Sequence, residues 1–238
     1  MTKLSVNINK IATIRNARGG EDIPNVVFAA KRIEEFGAEG ITVHPRPDQR
    51  HITYKDVEDL STSLKTEFNI EGYPNREWLD LVLKAKPSQA TLVPDPPGVL
   101  TSNAGWNTLQ YGAFLKEVLT ELNSYGIRTS IFIEPDLQLI DGAKEVGADR
   151  IELYTEPFAA NYSIDRESAV KPFALASKHA HEIGLGINAG HDLNLENLEY
   201  FTTSLPYLDE VSIGHALISD ALFFGLENTV QMYLSKLS

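Results

Sequence analysis

Eight short apolar runs, at residues 4–9, 40–44, 69–72, 90–94, 129–134, 151–155, 186–188 and 211–214, are separated by longer stretches with helical spacing. Val26, Ala29, Ile33 and Phe36 fall on one helical face, as do Leu115, Val118, Leu119 and Leu122. Runs this short and apolar suit parallel strands covered by helices, because each crossover must carry the chain back over the sheet before the next parallel strand begins. Phe36-Gly37-Ala38-Glu39-Gly40-Ile41 and Val146-Gly147-Ala148-Asp149-Arg150-Ile151 share one punctuation, a glycine that ends a helix in a left-handed turn before a new strand. Eight such units in 238 residues predict an α/β chain of one catalytic domain over 1–238, a closed (β/α)8 TIM barrel with short additional helices. An open doubly wound sheet is the architecture that the same alternation also permits.

Charge and composition narrow the function. A net charge of -12 argues against general nucleic-acid binding, which needs a basic footprint, so an anionic substrate would require a local cluster of basic groups. With no cysteine, disulfides, thiolate metal sites and a cysteine nucleophile are excluded. No apolar stretch approaches the ~20 residues that span a bilayer, and residues 1–10 lack the basic-then-apolar build of a signal peptide. The expectation is a cytoplasmic protein without membrane or nucleic-acid partners.

Reactive residues gather where the runs end. His44, Glu71, Glu152, His191 and His215 each lie at or just past such an end, and in a parallel barrel all strand ends face one mouth. A carboxylate inside a barrel strand is costly to bury without a partner, so Glu71 and Glu152 are candidates for proton chemistry or for a salt bridge. His44 and His191 exchange protons near neutrality without drastic tuning. The first run leads to Asn7, Asn9 and Lys10, then to Arg15 and Arg18; the second leads to Arg46, Arg50 and His51. Guanidinium forks at one mouth of an acidic chain point to an anion site. Asn188-Ala189-Gly190-His191-Asp192 and Ile213-Gly214-His215-Ala216 place small residues before helical segments, where backbone N–H groups and a helix amino terminus favour a phosphate. Residues 95–106, rich in proline and glycine, read as a lid or as a plain surface loop. His179 and His181 are two apart in a helical stretch and cannot face one another. Neither the His-Glu-x-x-His zinc motif nor a nucleotide-binding glycine loop occurs, and no metal or cofactor is expected.

Five segments together, Val6-Asn7-Ile8 with residues 11–19, Gly40-Ile41-Thr42-Val43-His44, Arg50-His51-Ile52-Thr53, Asn188-Ala189-Gly190-His191 and Ile213-Gly214-His215-Ala216, resemble the pyridoxine 5′-phosphate synthase family in order and spacing across nearly the whole chain. The resemblance implies a (β/α)8 barrel that joins 3-amino-2-oxopropyl phosphate to 1-deoxy-D-xylulose 5-phosphate, forming the pyridine ring with loss of phosphate and water. It implies that His44 and Glu71 take protons, that His191 donates them, and that Glu152 stabilises a charged intermediate or transition state. By the same resemblance Asn7, Arg18, Gly214 and His215, with the backbone at Asp192, hold the amino-oxopropyl phosphate, while Arg46, His51 and Thr101 hold the deoxyxylulose phosphate. It also implies a homo-octamer built from dimers. The chain departs from the pattern at Asn9-Lys10, where many relatives carry Asp-His, and at Asp192, where they carry glycine; these three are retained as substrate-side positions. A phosphosugar isomerase or epimerase on the same barrel, or a non-catalytic phosphometabolite-binding protein, are the alternatives that fold alone leaves open.

Overall fold

Along the strands the outward positions are apolar, Thr129 on β5 apart. Leu4, Val6, Ile41, Val43, Ile70, Leu92, Ile131, Ile151, Ile187, Val211 and Ile213 are all buried in one core between sheet and helices. Both faces of the strands are buried, and apolar outward positions alternate with inward ones at the period of a strand. In this computed structural model, which describes residues 1–19, 21–95 and 104–237, the strands are β1 (Lys3–Asn7), β2 (Gly40–Val43), β3 (Glu67–Gly72), β4 (Gln89–Leu92), β5 (Arg128–Ile133), β6 (Arg150–Leu153), β7 (Gly186–Ala189) and β8 (Glu210–Ile213). They pair in parallel in sequence order, and β8 closes onto β1. The predicted (β/α)8 barrel is therefore present, and the open sheet is not.

The helices are α1 (Asn9–Asn16), α2 (Val26–Glu35), α3 (Tyr54–Ser61), α4 (Arg76–Ala85), α5 (Gly112–Ser124), α6 (Leu137–Glu145), α7 (Glu156–Glu182), α8 (Leu198–Ser204), α9 (His215–Phe224) and α10 (Leu226–Ser235). The additional short helices are α1, ahead of α2, and α10, which follows α9 after β8. Among the described residues, no helix is long and apolar enough to cross a membrane.

The strand boundaries carry a lesson about the interior. Six strands start one or two residues before the apolar runs begin, at Lys3, Glu67, Gln89, Arg128, Arg150 and Glu210. These residues point into the barrel, where (β/α)8 proteins usually pack branched apolar side chains. Here the lining is polar: Ser5 and Thr42 share a hydrogen bond of 2.7 Å, Thr91 donates to Asn69 at 3.0 Å, and Arg128 donates to Gln89 at 2.9 Å. An apolar-run criterion cannot see such residues. Conversely, the first run overshoots, because β1 ends at Asn7 and Asn9 opens α1.

Candidate active site

Strand ends deliver the base side of the cup. His44 follows β2, is 7% exposed, and has its Nδ1 3.7 Å from a carboxylate oxygen of Glu71 on β3. Burial first, then the charges of Arg46, His51 and Arg50, hold His44 well below the ordinary imidazole value. Burial first, then the like charge of Glu152, pushes Glu71 well above the usual carboxyl range, with Arg46 opposing. Both shifts favour the neutral forms over an ion pair. Asn7 donates to Glu71 at 3.4 Å, and its Oδ1 accepts from the Asn9 backbone at 3.1 Å. Asn9 in turn accepts from the His44 backbone N–H at 2.9 Å. That task needs only an acceptor oxygen, which either asparagine or aspartate supplies.

The acid side comes from β6 and the turn after β7. His191 donates or accepts through Nδ1 to Asp192 at 2.8 Å, and its backbone carbonyl accepts from Thr155. Its ring lies edge-on to Tyr154 and Phe132, which with Val93 form a small apolar cluster apart from the main core. Burial works to lower the His191 value, yet the Asp192 hydrogen bond and charge, with Glu152 and Asp95 adding, raise it above ordinary imidazole. Asp192 adopts a left-handed backbone with φ of 67°. Glycine suits that conformation best, and aspartate is among the few other residues that tolerate it. The departure from glycine thus keeps the turn and adds a carboxylate to orient His191. Glu152 is buried, and burial together with the Glu210 charge pushes it up to about 7, with His191 opposing.

Close approach explains two glycines. A Cβ on Gly190 would lie 2.0 Å from the Ser212 carbonyl oxygen, and one on Gly214 would lie 3.0 Å from the Asn7 side chain. Gly214 is the residue before α9, and His215 opens that helix with its side chain exposed at the mouth. A helix amino terminus beside Asn7 is suited to a phosphate.

The other basic positions separate. Arg46, 8% exposed, donates to Asp95 at 2.9 Å. His51 accepts the Ile52 N–H on Nδ1 at 2.9 Å, which leaves its proton on Nε2 as a donor; burial, Arg46, Arg50 and Lys10 lower it to about 4, so the ring is a neutral donor. A cavity of about 280 Å³ is lined by His44, Arg46, Arg50, Tyr54, Tyr73 and Asp95, among others. Lys10 is exposed on α1. Arg15, read as a candidate anion ligand, is instead committed to Asp56, at 2.5 and 2.8 Å, where Asp56 also forms the capping box of α3 with Thr53. Arg18 has an 81% exposed side chain with Glu21 4.0 Å away, and the structure does not bring it to the cluster. Thr101 and most of the suspected lid lie outside the described residues. The described end of that loop is anchored, since Gly105 donates to Glu134 at 2.9 Å and buried Trp106 stacks on Tyr73. His179 bonds Asp141 and His181 stacks on Tyr207, so the two do serve different neighbours.

Two contributors escaped the sequence reading. Asp95 lies three residues past β4, just beyond the apolar run 90–94, and opens the irregular stretch of residues 95–106. Asp192 was read as a backbone contact, whereas its side chain is the partner of His191.

A closed eight-stranded parallel barrel, with two histidines shifted in opposite directions and buried carboxyls around one mouth, defines a (β/α)8-barrel enzyme of the acid/base class. Residues 4–238 match the family described as pyridoxal phosphate biosynthesis protein PdxJ, and the chain belongs to that family. It is 62% identical over 237 residues, covering 100% of both chains, to the pyridoxine 5′-phosphate synthase of Christiangramia forsetii. It is 63% identical over 233 residues, 98% of each chain, to that of Bacteroides fragilis. Among solved structures, a thiamine phosphate pyrophosphorylase from Pyrococcus furiosus aligns with a TM-score of 0.63 at 14% identity, covering 99% of this chain and 95% of its own. A phosphoribosylanthranilate isomerase from Thermotoga maritima aligns with a TM-score of 0.61 at 13% identity, covering 100% and 98%. At such identity these two show the shared barrel only.

Proposed function

We propose that this cup condenses 3-amino-2-oxopropyl phosphate with 1-deoxy-D-xylulose 5-phosphate to give pyridoxine 5′-phosphate, phosphate and water, with His44 and Glu71 as bases, His191 as acid and Glu152 stabilising positive charge. The observation that carries the division of labour is the opposite displacement of the two histidines, His44 downward and His191 upward. Joining an amine to a ketone and closing the ring by an aldol-type step needs protons removed and supplied on different sides of one pocket. Neutral His44 accepts, and His191, held protonated by Asp192, gives.

Glu71 rests as the acid, so it needs arming. An ammonium group arriving beside it favours the carboxylate, and substrate binding thereby creates the base. Asn7, Gly214, His215 and the Asp192 backbone form the phosphate side under α9, with Arg18 joining by movement of the end of α1. Arg46 and the Nε2–H of His51 hold the second phosphate, with Thr101, while Asn9 and Lys10 flank it. The cup runs on these side chains without a metal or organic cofactor.

Incubation of the purified protein with both phosphates, following pyridoxine 5′-phosphate by mass and absorbance, tests the reading. Product that depends on both substrates supports it. Conversion of one phosphosugar alone would replace it with an isomerase or epimerase, and binding without turnover would replace it with a phosphometabolite sensor. We place the reaction in the cytoplasm, in keeping with a cysteine-free chain. We propose a homo-octamer of dimers, supported by exposed Leu222 and Phe223 at the end of α9, which are 71% and 84% exposed. Light scattering that gave a monomer would overturn the assembly.

A further inference from the structure

The barrel interior contains a carboxyl group that the proposed chemistry does not use. Glu210, the first residue of β8, is 3% exposed. Strand register places Glu152 opposite Asn188, and Asn188 opposite Glu210, so one asparagine stands between the two carboxyls. Its amide is held from both ends. The Asn188 oxygen accepts from Arg150 at 3.0 Å, and its nitrogen points at a Glu210 oxygen 3.4 Å away. Among the described residues, Glu152 Oε2 is buried with no hydrogen-bond partner. An amide adjacent in register would be the natural donor to it, but this one is turned to Glu210.

We propose that Glu210 is a positioning residue for Glu152: it draws the Asn188 amide away from the Glu152 carboxyl and sets a second carboxyl one strand beyond it, so that Glu152 is left without a donor until a cationic intermediate arrives. A buried carboxylate with no partner is costly, whereas the neutral acid is not. Burial and the Glu210 charge both push Glu152 up to about 7, and His191 opposes them. Burial also pushes Glu210 up to about 7, with Arg150 opposing, Glu67 adding, and Arg128 and Lys3 opposing. Glu71, at the mouth end of β3, feels both Glu152 and Glu210. Arg150, Arg128 and Lys3 favour the Glu210 carboxylate, and that charge in turn disfavours ionisation of Glu152. A positive charge forming in the cup then favours the Glu152 carboxylate, which is when a stabilising anion is useful.

This role rests on the ring-forming reaction proposed above, but its test does not depend on that reaction alone. Glu210→Gln keeps the shape and removes the charge. Two measurements are paired: the pH profile of kcat with both substrates, and the Glu152 carboxyl titration in ligand-free protein by infrared difference against Glu152→Gln. Expected are unchanged KM values and a Glu152 midpoint lowered by about one pH unit, with the corresponding limb of kcat displaced equally. Glu210→Asp, which keeps the charge, should return both toward the parent, and Glu210→Gln should shift nothing further in a Glu152→Gln background.

An equal loss of kcat at every pH, with the Glu152 midpoint unmoved, would reduce Glu210 to a structural residue and overturn the proposal. If Glu210→Gln does not fold, the parent's titration decides: two carboxyls ionising in coupled steps support the proposal, and independent single-proton curves overturn it. If the parent makes no product, the proposed function fails while the infrared titration still judges the carboxyl pair.

Discussion

Glu67 and Glu71 lie on one strand, face the same interior and differ by four positions, yet they are opposites in proton chemistry. At the lower end, Glu67 receives Lys3 at 2.5 Å and Arg128 on its two oxygens. Burial works to raise it, but those hydrogen bonds and charges draw it down to about 2. At the mouth, Glu71 has a neutral histidine at 3.7 Å and an amide at 3.4 Å, and burial drives it up. The Glu67 charge is paired with Lys3 and Arg128, while Glu71 has no cation within hydrogen-bond distance among the described residues. A polar barrel interior is tolerable where it pairs its own charges, and reactive where the pairing is left to a substrate.

The contrast can be broken by removing one group from each end. His191→Ala should abolish product formation, with kcat reduced about a thousandfold or more while the circular dichroism spectrum and the unfolding midpoint stay near the parent's. Near-normal turnover in that variant would remove His191 from the acid role. Glu67→Gln should do the reverse. It strands Lys3 and Arg128 and lowers stability by about 2 kcal/mol, read by urea unfolding, while kcat per folded molecule is kept. Because the folded value of Glu67 lies below the ordinary 4.5, its contribution is present above that pH and is lost as pH falls toward about 2. Parent and variant stabilities should therefore converge in acid; a constant gap down to that pH would contradict the pairing.

Smaller changes at the mouth sharpen the comparison. Asn9→Leu removes the acceptor that holds the His44 backbone and should lower kcat about tenfold, whereas Asn9→Asp should not; equal losses in both would show that Asn9 meets substrate instead. Asp192→Gly suits the left-handed backbone, so stability should hold or rise, but His191 loses the carboxylate that raises it. The basic limb of the kcat profile should then move to lower pH, with only a few-fold change at neutrality. An unmoved limb would deny Asp192 its part in holding the His191 proton.

Much of this was legible because strand periodicity and strand-end placement are local properties. His44, Glu71, Glu152 and His191 could be located from the apolar runs before them, and the barrel then required them to converge. Arg15 shows where local reading stops. Nothing near it in sequence reveals that Asp56, 41 positions away, takes its guanidinium. Asp95 lies three residues past β4, and only its pairing with Arg46, 49 positions away, marks it off from the loop that it opens.

The sequence by itself determined the eight-unit barrel, since hydrophobic period and helix punctuation act over a few residues, and it determined which reactive types reach the mouth. Only the tertiary structure decided their states. Whether a carboxyl is a paired anion like Glu67 or a proton-bearing acid like Glu71 depends on burial and on charges brought from other strands, and those energies arise from distances that no linear spacing encodes.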